Sequence, residues 1–471
     1  ALFLRAWVYF DKVNTVGGVP LILEVQNIAD VPSLFVSRNS TSECITQILK
    51  DLDDAISYLP DSYDDKGYGR IDKGAAMAFK GRVLMFYASP MFNPNNDASR
   101  WETAYKANKT ALDYLTAQGK GLYKGNFADI WYDEQNCEAI MVNQFYYPDH
   151  AFDQKNIRPE PLTRDGANDN QAILSLLMAF PKADGTKLEL DVTRLSDPAY
   201  NQQFMTEFYT NRDPRFHATI FCPGTIYPCT NVQLEGGQKY WNAWYEQEVD
   251  GKTQMNSLVD FQTGTSIGGG MSGYFQKKGL DESLNNASVY QAETDWIEIR
   301  FAEVLMNYGE CANEIGKTQE ALNVLYQIRE RAGIENTTGN YGITATTQSD
   351  IREAYVNERF VEFAYEGKRW NDLRRWKRFD ILNNLKHRST LYAVINDKAD
   401  AEGFDFTKDM FDPEVRKMFH FVYIENVDKD DLYTFNLDEK YLFYPIHKEA
   451  LDRNSKLEQN DAWGGTFDPL K

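Results

Sequence analysis

The chain has 471 residues, 42% of them hydrophobic and 14% aromatic, with a formal net charge of −20. That excess of acid argues against nucleic acid, whose phosphates require lysine and arginine, and against direct binding to anionic lipid; it suits a neutral or weakly charged ligand. No stretch approaches the roughly 18 to 20 uninterrupted apolar residues of a membrane span.

The first 13 residues read as an amphipathic helix carrying Leu2, Leu4, Trp7, Val8 and Phe10. Ala1 already lies inside this pattern, with no start Met, signal peptide or lipidation Cys, so a preceding segment is expected. Gly17-Gly18 and Pro20 form a loop. Ser42 is expected to cap a helix through Leu59, with Ile45, Ile48, Leu49, Leu52 and Ile56 on its apolar face and Pro60 as its stop. An acidic loop from Asp61 to Gly69 follows. Asp72 caps a helix over 73–89, and Pro90 to Asn96 is a turn-rich loop with one aromatic and three amides. A further helix spans 100–117.

From about Gly119 to Thr294 glycine, proline, asparagine and aromatics rise and helical periodicity fades. Helices remain legible near 169–180 and 200–210, and short strands at Ala139–Val142 and Ala218–Phe221. Ser266 to Gly270 reads as a flexible loop. The region is expected to be a loop-rich insertion packed on a helical scaffold, and loops on rigid scaffolds tend to carry function.

Three helices are legible from Trp296 to Phe379. In the first, Ile297, Phe301, Val304, Leu305, Tyr308, Cys311 and Ile315 share one face, and Gly316 ends it. Thr318 is expected to cap the second, which buries Ala321, Leu322, Leu325, Ile328 and Ala332 and stops at Gly333. Ser349 is expected to cap the third, running to about Glu366. After 380 the chain reads as irregular until Tyr441. Val83-Leu-Met-Phe-Tyr-Ala88 matches Val304-Leu-Met-Asn-Tyr-Gly309, and each is followed by an alanine-rich helix. Small residues at Ala88, Gly309, Ala104 and Ala321 permit close approach, the signature of tetratricopeptide-like helix pairs.

Glu358, Glu362 and Glu366 recur at helical spacing. A carboxylate on the Ala354, Glu358, Val361, Tyr365 stripe is partly buried and needs partners; Arg300, Arg329, Arg331 and Arg369 are available, so an ion-pair network outweighs catalysis. No Glu-x-x-His pair supports a di-metal centre, no zinc spacing is present, and no Ser/His/Asp context supports nucleophilic catalysis. Of five cysteines, Cys44 and Cys311 read as core residues, while Cys222 and Cys229 flank a loop where a local disulfide stays open. A helical glycoside hydrolase would need two carboxylates roughly 5 to 10 Å apart. Asp53-Asp54 and Asp64-Asp65 read instead as solvated charge. A pure interaction scaffold is a third class that helical repeats allow.

Several motifs resemble the SusD/RagB family of surface glycan-binding outer-membrane lipoproteins of Bacteroidota. They are Arg300-Phe-Ala-Glu-Val-Leu-Met-Asn-Tyr308, Ile328-Arg-Glu-Arg-Ala-Gly333, Asn357 through Arg369, and Asp372-Leu-Arg-Arg-Trp376. Tyr441-Leu-Phe-Tyr-Pro-Ile446 with Asn454 and Glu458 to Gly464 resembles the C-terminal signature. Leu4 to Phe10 with Gly17 to Ile22 resembles the N-terminal helix and loop. The match is weakest over about 140–290.

The resemblance implies one mainly α domain of tetratricopeptide-like helix pairs with a few short strands. Residues 1–118 would form its N-terminal helical region, 119–294 a ligand-binding insertion, 295–380 the repeat core and 381–471 an irregular end. It implies a non-catalytic protein that captures oligosaccharide and acts as the lid of a TonB-dependent, SusC-like transporter. The membrane would be reached only through an N-terminal lipid anchor, and no cofactor, metal or nucleic acid is expected. Some relatives handle peptides. Sugars require exposed aromatic platforms beside hydrogen-bond partners. Two stretches offer that mixture: Arg70 with Phe92, Asn93 and Asn96, and Trp241, Trp244 and Tyr245 backed by Tyr274. A local hydrophobic core is the competing reading for the second. Trp101, Trp370 and Trp376 lie in helical motifs and are assigned to packing.

Overall fold

The structure is a computed structural model and describes residues 1–158, 170–225, 243–258, 272–285, 287–337, 339–397, 399–400, 408–428 and 433–471. It is mainly helical, as expected. Helix α1 (Leu2–Val16) packs on α2 (Thr41–Tyr58), and α2 on α3 (Lys73–Ala88), which forms a hairpin with α4 (Ala98–Ala117). Ser40, not Ser42, opens α2: its side chain accepts from the Glu43 amide while Glu43 returns the bond. Asp72 caps α3 as expected, accepting from the Ala75 amide at 2.8 Å.

Strand β1 (Ala139–Asn143) leads into α5 (Leu174–Ala179), α6 (Pro198–Thr210), α7 (Arg215–Thr219), β2 (Ile220–Phe221), β3 (Trp244–Val249), β4 (Lys252–Ser257) and β5 (Phe275–Gln276). Strand β6 (Trp296–Arg300) then feeds α8 (Phe301–Glu314), α9 (Thr318–Arg331), α10 (Gln348–Glu362) and α11 (Arg369–Arg375), followed by β7 (Thr390–Ile395) and β8 (Phe419–Ile424). Ile297 therefore lies on a strand rather than on the α8 face, because residues 296–300 pair antiparallel with β1. Gly316 and Gly333 end α8 and α9 at positive φ, as expected. Lys317 precedes α9 without a side-chain cap, so Thr318 is its first helical residue rather than its cap. Thr347 with Asp350, not Ser349, caps α10, which stops at Glu362.

The two helical hairpins form one core. Helix α8 packs on α4, α3, α9 and α10. Ala88, Ala104 and Ala321 are buried, and Gly309 is the tightest point. A Cβ there would stand 1.9 Å from the Tyr355 hydroxyl, which donates to the Ala321 carbonyl at 2.8 Å.

The insertion is more than loops laid on that scaffold. It builds a second core from Phe204, Phe208, Tyr209, Phe216 and Tyr274 with Leu391, Ala393, Phe419 and Phe421. The C-terminal region expected to be irregular supplies two of the four strands of a sheet ordered β4-β3-β7-β8, antiparallel except for β3 beside β7.

A buried ion-pair network joins the two cores. Glu358 accepts from Arg215 and Arg329, each at 2.7 Å. Glu362 accepts from Arg215 at 2.7 Å, from Arg300 at 2.6 Å and from Arg331. Glu366 accepts from Arg300 at 2.7 Å and from Lys278. Arg215 also holds Asp213, and Arg300 and Arg331 share Glu138. The carboxylates of Asp213, Glu138, Glu358, Glu362 and Glu366 thus face Arg215, Arg300, Arg329, Arg331 and Lys278 with charges balanced. Burial opposes the charge of Glu362, but Arg331, Arg300 and Arg215 outweigh it and hold the group well below the usual carboxylate range. Arg369 does not join; its guanidinium lies 4.0 Å from the Phe360 ring centroid.

Candidate functional site

The two halves of the first sequence-predicted site do not meet. Arg70 precedes α3 and Phe92 follows it; sixteen helical residues span about 24 Å. Phe92 is 2% exposed, edge-on to Phe443 at 5.3 Å. Asn93 is 4% exposed and braces its own turn, donating to the Ala88 and Asp97 carbonyls and accepting from the Asp97 amide. Asn96 is exposed, at φ 51°. Phe92 and Asn93 are therefore packed groups, not exposed platforms.

The second predicted cluster is corrected in the same way. Trp244 opens β3 and stacks on Tyr392, centroids 4.0 Å apart at 11°. Tyr245 is buried beside it, and fully buried Tyr274 donates its hydroxyl to the Leu391 carbonyl at 3.0 Å. Strand pairing and the second core cover these rings, so the competing reading holds for Trp244, Tyr245 and Tyr274. Trp241 lies outside the described residues. Trp101 and Trp376 are buried, and Trp370 stacks on Phe379, as assigned. Cys222 is a buried free thiol, pushed up to about 12 by burial, while Cys229 lies outside the described residues.

Asn93 and Asn96 line a cleft of about 330 Å³ whose walls are Pro90, Trp101, Arg352 and Trp376, while Arg70 faces a different one. The Arg70 cleft holds about 250 Å³ and is lined by Tyr63, Tyr68, Arg70, Tyr114, Gln118 and Gln135 along the edge of β1. The Arg70 guanidinium lies 5.8 Å from the Tyr63 ring centroid, and among the described residues it has no ion pair. Asp61 accepts from Lys73 at 2.7 Å and from the Tyr114 hydroxyl at 2.8 Å, and these bonds hold it below the usual range. Burial, and after it the Asp295 charge, push the Tyr68 phenol up to about 12.

Further exposed aromatics lie beyond the end of β1, outside the cleft lining. The Gln144 side chain lies over Gly69, within 2.7 Å of where a Cβ would stand. Two residues on, Tyr146 and Tyr147 are 53% and 47% exposed, and Tyr147 sits 6.4 Å from Tyr290, which is 48% exposed. Phe145 beneath them stacks on His150 and Phe152. Tyr63 and Arg70 at the cleft, and the tyrosine row Tyr146, Tyr147 and Tyr290 beyond the end of β1, each supply exposed rings, with the Arg70 guanidinium and the Gln144 amide as donors, the mixture that sugars need. Sequence reasoning passed over Tyr146 and Tyr147. The signal was Phe145-Tyr-Tyr-Pro148 just beyond a predicted strand end, where a proline breaks the ladder and leaves neighbouring rings open to solvent.

A family model described as SusD family matches residues 130–463, and one described as starch-binding associating with outer membrane matches residues 1–85. SusD-like protein P38 of Formosa agariphila is 22% identical over 389 residues, covering 80% of this chain and 65% of that relative. The chain thus spans about two thirds of its length. SusD-like protein P2 of the same organism is 34% identical over 107 residues, 22% of this chain and 20% of that one. Among solved structures, a SusD-like protein from Bacteroides fragilis aligns with TM-score 0.71 at 25% identity, covering 98% of this chain and 78% of that one. A SusD-like carbohydrate binding protein from the same species aligns with TM-score 0.66 at 22% identity, covering 97% and 78%.

Proposed function

This chain belongs to the SusD family, and on that premise we propose that it captures an oligosaccharide at the cell surface and passes it, unchanged, to a TonB-dependent outer-membrane transporter. The protein would be held at the outer membrane by a lipid anchor. The observation that carries the ligand class is the exposure of Tyr146, Tyr147 and Tyr290 beyond β1, with Arg70 beside Tyr63 in the cleft. The family description adds starch binding and association with the outer membrane.

Binding without hydrolysis fits the carboxylates. A glycosidase needs an acid–base pair open to the sugar. Glu358, Glu362 and Glu366 are buried and paired with cations. Asp53 and Asp54 are paired with Lys80 and Lys50 on a helix surface. Three carboxylates line the cleft, Asp61, Asp64 and Asp72: Asp61 is engaged by Lys73 and the Tyr114 hydroxyl, Asp72, raised by burial, accepts from the Ala75 amide as the cap of α3, and Asp64 is exposed on its loop.

The test is calorimetry against an oligosaccharide panel with a reducing-end assay alongside. Arg70→Ala and Tyr147→Ala should each weaken binding about tenfold, near 1.4 kcal/mol, with melting unchanged. Release of reducing ends, or unaltered binding in both variants, would overturn the reading.

A further inference from the structure

A second pocket opens between α1, α3, β6 and the turn before α11. It holds about 250 Å³ and shares no lining residue with the Arg70 cleft. Half-buried Trp7 and Trp296 form its walls, with Phe10, Phe79 and Phe86 behind them.

Its floor is charged but already satisfied. Arg82 makes two bonds to Glu303, at 2.6 and 2.8 Å, and Arg359 two to Asp372, at 2.9 and 3.1 Å. Glu298 accepts from Arg82 at 2.8 Å and from the Trp296 indole at 3.1 Å, and Lys368 donates to the Glu298 carbonyl at 2.7 Å. Asp11 at the rim is paired with Lys12 at 3.0 Å. An anion would meet the carboxylates, and a cation would meet Arg82 and Lys368. A neutral ligand incurs neither penalty.

Two amides keep unused groups. Asn14, 9% exposed, donates to the Asn371 Oδ1 at 3.1 Å. Among the described residues the Asn14 Oδ1 and the Asn371 Nδ2 have no partner. Arg374 also donates to the Asn371 Oδ1 at 3.3 Å, which fixes the orientation of that amide and leaves one acceptor beside one donor. A hydroxyl both donates and accepts, so a ring of hydroxyls satisfies both, while indole faces suit the apolar C–H face of the same ring. The volume lies below the roughly 300 to 1,000 Å³ of drug-sized sites, and unlike the Arg70 cleft this pocket has, among the described residues, no row of exposed rings beside it to carry further sugars, which fits one ring rather than a chain.

We infer that this pocket is a separate carbohydrate subsite that takes a single neutral pyranose ring. The inference shares the carbohydrate class with the proposed function but is independent of the Arg70 cleft.

The experiment uses neutral methyl pyranosides at millimolar concentration, read by calorimetry and by the indole N–H signals in NMR. Pyranoside should move the Trp7 and Trp296 signals and leave Trp463 still. Asn371→Leu and Trp296→Ala should lower affinity at least tenfold, while Lys448→Ala, on a remote surface helix, should not. Should a pocket variant fold poorly, the wild-type indole signals decide the matter alone. Still signals, undiminished affinity in folded pocket variants, or preference for an amine or guanidinium compound over every neutral pyranoside would overturn the inference. Longer glycans that bind while pyranosides leave Trp7 and Trp296 unmoved refute the pocket only. Pyranoside binding here with no glycan bound elsewhere refutes the capture-and-delivery reading only.

Discussion

Glu358 offers the sharpest test of the buried network. Its two oxygens hold Arg215 and Arg329, but the arginines depend on it unequally. Arg215 retains Asp213 and Glu362 when Glu358 is removed. Among the described residues Arg329 retains only the carbonyls of Gly185 and Tyr341, at 3.1 and 2.9 Å. The cost therefore falls on Arg329, left buried without a counter-charge. Breaking a buried pair from one side costs about 3 to 5 kcal/mol. Glu358→Leu should fall in that range, and Glu358→Gln, which keeps shape and one acceptor, should cost about 3 kcal/mol or less. Glu358→Leu with Arg329→Met should recover about 1 to 3 kcal/mol of the sum of the single losses, because removing both partners leaves no orphan. Denaturant unfolding of the wild type, Glu358→Leu, Glu358→Gln, Arg329→Met and the double variant measures these differences. Additive losses would refute the account, as would a Glu358→Gln protein of unchanged stability that no longer binds glycan.

Trp244→Ala should cost about 3 to 5 kcal/mol of stability and leave glycan affinity of the folded protein unchanged; lost affinity at unchanged stability would restore Trp244 as a ligand contact. Burial lowers the His217 pKa from its ordinary 6.5 to about 4, so the unfolded chain takes the proton first as pH falls. The neutral ring's contribution is therefore whole above pH 6.5 and is lost progressively down to about pH 4, worth about 3 kcal/mol in all. His217→Phe should flatten unfolding free energy across that window, and an unchanged slope would place the effect elsewhere.

Helices were legible where one sequence face repeats, and helix pairs were legible because Val83–Ala88 and Val304–Gly309 repeat each other. Caps were missed by one or two residues because Ser40 and Ser42, or Thr347 and Ser349, carry the same chemistry, and only backbone geometry selects between them. The sheet was illegible for another reason. Trp244 pairs with Val394, 150 residues away, and no local pattern encodes such a partner. Strand β7 is nearly all buried, so it lacks the alternation that marks a half-buried strand. Glu358 was legible as a paired carboxylate, and Arg329 as one partner. Arg215 was not, since it reaches the network from the insertion. In the candidate site, Arg70 was visible, but aromatic residues alone cannot say which rings a second core will cover. Trp244 and Tyr147 look alike in sequence and differ only in what packs on them.

Arg300 ties the network to both candidate surfaces. It ends β6 and opens α8. Its guanidinium makes five bonds: to Glu138, to the carboxylate and carbonyl of Glu362, and two to Glu366. Glu138 immediately precedes β1, whose far end carries Gln144 and the tyrosine row, while Glu366 precedes Gly367 and Lys368 at the second pocket. One buried fork thus fixes the roots of two segments that face solvent elsewhere. Lysine keeps the charge but has three donors and no planar fork, so Arg300→Lys leaves at least two of the five bonds unmade. Stability should fall by about 3 kcal/mol or more. Affinity should fall at the tyrosine row and at the pocket together, although neither surface contains Arg300. Amide hydrogen exchange on folded Arg300→Lys protein would report the cause: faster exchange in β1 and in 366–371, with α2 and α4 unchanged. Uniform acceleration across all helices would mean a global loss of stability instead, and Arg300 would then have no special hold on either surface.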